Sequence, residues 1–105
     1  MTLSQEFDNL TDQLEQLIGL LRESGDRFWV LYLERALKQV RERRLSGATL
    51  VLSCYTTEGS LANLEIGEGL LETDPLSHKN LNARLTHLRT SVFKSADRIA
   101  SRQLW

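Results

Sequence analysis

Leu3, Phe7, Leu10, Leu14, Leu17, Ile18 and Leu21 recur at steps of three and four, the spacing that lines apolar side chains along one face of an α-helix. A chain that opens this way must find a second apolar surface to cover that face. Two later stretches supply one: Trp29, Leu33, Ala36, Leu37 and Val40, and then Leu81, Leu85, Leu88, Val92, Phe93, Ala96 and Ile99. The reading is an all-α single domain over residues 1–105, a small helical bundle of three long helices plus a short apolar helix and an irregular acidic loop.

Capping residues mark the ends. A helix is expected from about Ser4 to Ser24, since Thr2 or Ser4 can cap its start, Glu6, Asp8 and Asp12 suit the positive end of the helix dipole, and Gly25 supplies a left-handed stop. Asp26 caps a second helix, whose apolar face is widened by Phe28, Leu31 and Tyr32. Its end is basic, with Arg35, Lys38, Arg41, Arg43 and Arg44 where cations suit the dipole. Ser46-Gly47 is then expected to break the pattern and cap the segment from Ala48 to Tyr55. That segment is short and β-branched enough to be a strand or a helix; a helix is favoured, because a lone strand leaves its backbone groups unpaired. Gly67, Gly69 and the only proline, Pro75, predict a loop over residues 65–76. The closing helix is expected to start near Ser77 or Asn80 and to run to about Arg102, and the short turns at Gly25 and Ser46-Gly47 make neighbouring helices antiparallel.

With 41% hydrophobic and 26% charged residues, the chain has the composition of a globular domain rather than of a disordered segment. A formal charge of −1 gives no overall attraction to nucleic acid or to an anionic membrane. Cys54 is the single cysteine, which excludes an internal disulfide. The start Met-Thr-Leu-Ser-Gln-Glu-Phe-Asp lacks the basic and apolar runs of a signal peptide, and no apolar run approaches the roughly 18–20 residues that span a bilayer. The cytoplasm is the expected location, and Cys54, close to Leu52 and Tyr55, reads as a small buried apolar residue rather than a nucleophile.

The residues do not arrange themselves as a catalytic centre. His78 and His87 are nine apart, a spacing that does not set both on one helical face as a step of four does in a zinc-binding helix. Ser53, Ser60 and Ser91 lack the glycine-flanked elbow of a nucleophilic serine. Gly67 and Gly69 flank Glu68, whose carboxylate would repel a phosphate. Glu65, Glu68 and Glu72 have no histidine or aspartate-rich set beside them to complete a metal site. The expectation is a protein that is not an enzyme and holds no metal or cofactor.

Charge is segmental instead. From Glu58 to Asp74 there are five acidic residues, Glu58, Glu65, Glu68, Glu72 and Asp74, and no lysine or arginine. Residues 78–102 hold Lys79, Arg84, Arg89, Lys94, Arg98 and Arg102 against only Asp97. Two readings follow. The acidic first helix and the acidic loop can lie against the basic helices, or the loop can be offered to a basic partner, where charge governs association rate and partner choice.

In the stretch from Tyr55 to Leu64, Gly59 can end one element and Ser60 cap the next. The same stretch resembles a family of small uncharacterised bacterial proteins with a motif of an aromatic residue, two glycines, a methionine, Gly-Ser, an apolar residue, Asn-Asp and Leu. Tyr55, Gly59, Ser60, Leu61 and Leu64 match it; Thr56, Thr57, Glu58, Ala62 and Asn63 depart from it. The likeness extends to Arg27-Phe28-Trp29 and to the helix from Leu81 to Ala96. It implies an immunity-type role, neutralising a partner toxin by covering its active surface. Tyr55 would then be an anchor, and Glu58, Glu65, Glu68, Glu72 and Asp74 would complement basic groups that otherwise hold an anionic substrate. Two alternatives remain open: a nucleic-acid-associated regulator using Arg35, Lys38, Arg41, Arg43 and Arg44, and a helical homodimer built through Phe28, Trp29 and Tyr32.

Overall fold

The apolar stripes of the sequence become helices α1 (Leu3–Glu23), α2 (Arg27–Arg41), α3 (Leu45–Ser53), α4 (Leu70–Thr73) and α5 (Pro75–Leu104), with a 3₁₀ turn at Leu61–Asn63. The structure is a computed structural model and describes residues 2–56 and 60–104; no strand occurs among these. Thr2 and Gln5 close a capping box at the start of α1, the Gln5 N–H donating to Thr2 Oγ1 at 3.1 Å and the Thr2 N–H to Gln5 Oε1 at 2.8 Å. At its end Gly25 takes φ of 81°, and the Asp26 N–H donates back to the Leu21 carbonyl at 3.0 Å, the geometry of a Schellman stop. Asp26 then caps α2, accepting from the Trp29 N–H at 3.0 Å.

α1 is the central element. Leu10, Leu14, Leu17 and Leu21 are fully buried, covered by α2 on one flank and α5 on the other. Both neighbours run antiparallel to it. On α2, Glu34 meets Arg22 and Arg41 meets Glu15; on α5, Ser95 donates to Gln13 Oε1 at 2.7 Å, and Arg102 Nη1 lies 3.0 Å from Glu6 Oε2. The Glu6 contact is an ion pair rather than a directed hydrogen bond, since Oε2 accepts none. α3 packs across α2 and α5 and closes the core with Ala48 and Val51, both fully buried.

Two boundaries differ from expectation. The reversal between α2 and α3 lies at Glu42–Arg44 and not at Ser46-Gly47, which belongs to the first turn of α3. Arg43, with φ of 61°, occupies the left-handed position usually taken by glycine, while the Arg44 N–H reaches the Gln39 carbonyl at 3.1 Å. Asp8 holds the Arg43 guanidinium, so an ion pair to α1 accompanies the conformation that periodicity alone would assign to glycine. Gly47 is needed for another reason. A Cβ there would stand 2.6 Å from the backbone nitrogen of Val40 and 2.8 Å from Val40 Cγ2, so the residue sets the close crossing of α2 and α3. The second difference is that α5 begins at Pro75, earlier than Ser77 or Asn80, and α4 interrupts the loop. Proline suits the first helical position, where its missing N–H has no intrahelical acceptor.

These two glycine environments make opposite predictions. Gly47→Ala should destabilise the fold by about 1–3 kcal/mol, because backbone rather than a flexible side chain blocks the new methyl. Gly19, inside α1 with nothing within 4 Å of its would-be Cβ, should gain about 0.5–1 kcal/mol as alanine by losing unfolded-state freedom. Urea unfolding of the two variants checks the sign of each.

Candidate partner-binding edge

Beyond α3 the chain turns back along the N-terminal part of α5, and three polar anchors hold it there. Cys54 is buried, with its thiol 3.4 Å from the Leu50 carbonyl, and the Leu61 N–H donates to the Cys54 carbonyl at 2.9 Å. Ser60 is buried and caps the 3₁₀ turn, accepting from the Ala62 N–H at 3.3 Å. Arg89 of α5 is the second anchor: Nη1 donates to the Leu64 carbonyl at 2.9 Å and to the Leu61 carbonyl at 3.3 Å, and Nη2 to Thr86 Oγ1 at 3.2 Å. The Arg89 carbonyl in turn accepts the Tyr55 hydroxyl at 2.7 Å. Third, Asn82 brackets Ile66, its Oδ1 accepting the Ile66 N–H and its Nδ2 donating to the Ile66 carbonyl, each at 2.9 Å. Gly67 follows with φ of 70°, and a Cβ on it would stand 2.7 Å from Leu81 Cδ2. The left-handed φ favours glycine at this turn, where the loop passes close to Leu81.

Tyr55 is half-buried, its ring edge-on to Phe93 at 5.1 Å between centroids. With Ala62, Thr86 and Arg89 these rings line an open hollow of about 440 Å³. Burial pushes the Tyr55 hydroxyl well above its usual value, the neighbouring Cys54 adds to this and Arg89 opposes it. Burial also raises the Cys54 thiol to about 11, against a smaller lowering from a backbone hydrogen bond, so it stays protonated and unreactive at neutral pH.

From Glu65 onward the chain presents carboxylates. Glu65, Glu68, Glu72 and Asp74 are all exposed, and none forms an ion pair among the described residues. Leu71 and Leu76 stand among them, 55% and 67% exposed. Five carboxylates of the bundle are used differently: Glu6, Asp8, Glu15, Glu34 and Glu42 each face an arginine, Arg102, Arg43, Arg41, Arg22 and Arg44 respectively, while Asp12, Glu23 and Asp97 are in none of these ion pairs. Internal complementarity thus joins α1, α2 and α5, and the acidic loop is not part of it.

The expected site residues therefore divide. Glu65, Glu68 and Glu72 are exposed along the segment that also carries the exposed Leu71. Asp74 belongs to α5 as a cap, its Oδ1 accepting the Ser77 N–H at 3.2 Å and its Oδ2 the Ser77 hydroxyl at 2.7 Å; these bonds hold its carboxyl below the usual range. Tyr55 is engaged by Arg89 at the base of the edge. Glu58, and Gly59 with it, lie outside the described residues. Of the basic group, Arg41, Arg43 and Arg44 are ion-paired, and Arg35 and Lys38 are not among the described residues' ion pairs. Asn82 and Arg89 had no functional signal beyond an amide and a cation at mid-helix, where asparagine has a low intrinsic preference.

Among the described residues no group of three or more His, Cys, Asp or Glu side chains is placed to hold a metal ion, and no helix is long and apolar enough to cross a membrane. Comparison with family models, with curated proteins and with solved structures finds no match to this chain.

The anchors can be tested one at a time. Arg89→Met leaves two carbonyls without their side-chain donor and should cost about 1–3 kcal/mol by urea unfolding. Asp74→Ala should speed amide exchange at Ser77 by opening the first turn of α5. The Asp74 value is depressed by folding, so the unfolded chain takes up the proton first as pH falls. The cap's contribution is complete above the ordinary aspartate value of 3.8 and should vanish as pH falls through the lower folded value.

Proposed function

We propose that this chain is a non-catalytic binding protein that meets a basic protein partner through the acidic edge formed by Glu65, Glu68 and Glu72 around Leu71. One observation carries the reading: none of these carboxylates forms an ion pair among the described residues, while Glu6, Asp8, Glu15, Glu34 and Glu42 of the bundle each face an arginine. Charges left unmatched beside an exposed leucine provide what association uses, a long-range attraction that steers encounter and an apolar contact that holds it. Tyr55, Arg89 and Asp74 act behind the edge by fixing the backbone that carries it.

The most concrete form of the proposal is an immunity-type protein. An enzyme that acts on an anionic substrate displays a basic surface, and an acidic edge fixed on a helical frame can cover it without chemistry. The resemblance of residues 55–64 to immunity-like bacterial proteins supports this form, as does the segmental charge. The basic end of α2 supports a nucleic-acid role less well, since three of its five cations face carboxylates of the chain itself.

Co-purification with the product of a neighbouring gene, followed by calorimetry, tests the proposal. Glu65→Lys, Glu68→Lys and Glu72→Lys together should weaken the complex at least tenfold, about 1.4 kcal/mol, and more at low salt than at high salt. No complex, or one indifferent to this reversal, would count against it.

A further inference from the structure

The outward face of α2 has the same construction as the acidic edge with the opposite sign. Phe28 and Leu31 are 67% and 63% exposed, and at helical steps they share a stripe with Arg27, Arg35 and Lys38. None of these three cations has an ion pair among the described residues, whereas Arg41, Arg43 and Arg44 further along are all paired. Beside Leu31 lies a hollow of about 410 Å³ whose lining includes Arg27 and Val30, open enough to receive an aliphatic side chain. Glu42 falls on the same stripe but is taken by Arg44. On α4 and at the start of α5, the exposed Leu71 and Leu76 alternate in sequence with the exposed Glu68, Glu72 and Asp74, with Lys79 one turn further along α5.

Symmetry decides which contact is allowed. Pairing α2 with α2 of a second copy would set Arg27, Arg35 and Lys38 against their own equivalents, and like charges held together are repelled. Edge on edge fails in the same way. α2 on edge matches in charge and in apolar content. From this we infer that the chain self-associates head to tail, with Phe28 and Leu31 of one copy seated on Leu71 and Leu76 of the next. Arg27, Arg35 and Lys38 of the first copy face Glu68 and Glu72 of the second. Such a contact is heterologous, so each dimer still offers one free face of each kind and can grow. It is small and charge-rich, which makes it weak and sensitive to salt. It also covers the acidic edge, so a partner for that edge must displace a neighbouring copy; the inference itself needs no such partner.

The test uses the purified protein alone. Light scattering over about 10 μM to 1 mM at low salt should show a mass rising from 12.0 kDa, and about 0.5 M salt should return it to the monomer. Phe28→Asp with Leu31→Asp breaks the α2 face, and Glu68→Lys with Glu72→Lys breaks the edge. Phe28→Ser with Leu31→Ser replaces the first pair if the aspartates disturb folding, which circular dichroism reports. Each variant alone should remain a monomer, while their mixture should form a one-to-one dimer and nothing larger, because each brings one intact face. A constant mass of 12.0 kDa for the unaltered protein would overturn the inference. So would association that persists in the Glu68→Lys, Glu72→Lys variant, or a mixture that stays monomeric. These outcomes are independent of whether a neighbouring gene product binds.

Discussion

The buried face of α1 is the constraint on which the rest of the structure depends. Leu10, Leu14, Leu17 and Leu21 are fully covered, and covering them requires one helix on each flank. α2 is supplied at once by the turn at Gly25, but the second flank comes only with α5, after more than half of the chain. α5 has 30 residues against the 21 of α1. Paired antiparallel through Glu6 with Arg102 and Gln13 with Ser95, it must overrun the end of α1, by about 14 Å at 1.5 Å per residue for the nine residues in excess. The molecule is accordingly elongated, 48 × 24 × 20 Å. The returning chain from Ile66 to Asp74 is laid on this overhang, where little apolar surface is left to cover. Ile66 is buried there, while Leu71 and Leu76 stay in solvent.

That geometry explains the partition of charge. Inside the bundle, antiparallel neighbours bring acidic α1 against the basic end of α2, and arginines find carboxylates across each seam. Individually these exposed pairs are worth about 0–1 kcal/mol. Their larger effect is on register, since a helix slipped by one turn would set Arg41 and Arg43 away from Glu15 and Asp8. On the overhang there is no basic neighbour paired with the edge among the described residues. The edge is held by bonds to neutral backbone, from Arg89 and Asn82, which leaves its own carboxylates to face outward.

The helices were legible because the apolar spacing is long and regular. Within segment 48–55, the residues up to Ser53 are helical for the reason available beforehand, the lack of any strand to pair with. The boundaries that moved did so where side chains override spacing. Arg43 adopts a glycine-like conformation while held by Asp8, a contact 35 residues away, and Pro75 starts a helix because Asp74 caps it. The candidate edge was partly legible: an acid-only run is visible in composition, but which acids have a job inside the fold is not. Asp74 and Tyr55 are engaged within the chain, and Arg89, which holds the whole corner, carries no mark that distinguishes it from its neighbouring cations.

The carboxylates of residues 65–72 serve nothing inside the fold, whereas Glu6, Asp8, Glu15, Glu34 and Glu42 do. Thermal unfolding of two triple reversals tests this claim directly. Asp8→Lys, Glu15→Lys and Glu34→Lys should lower the midpoint by several degrees, on the scale of about 4–8 °C per kcal/mol for a domain of this size. Glu65→Lys, Glu68→Lys and Glu72→Lys should leave it unchanged or raise it slightly. An equal fall in both variants would mean that the edge, like the bundle, is held by its charges, and would contradict the claim.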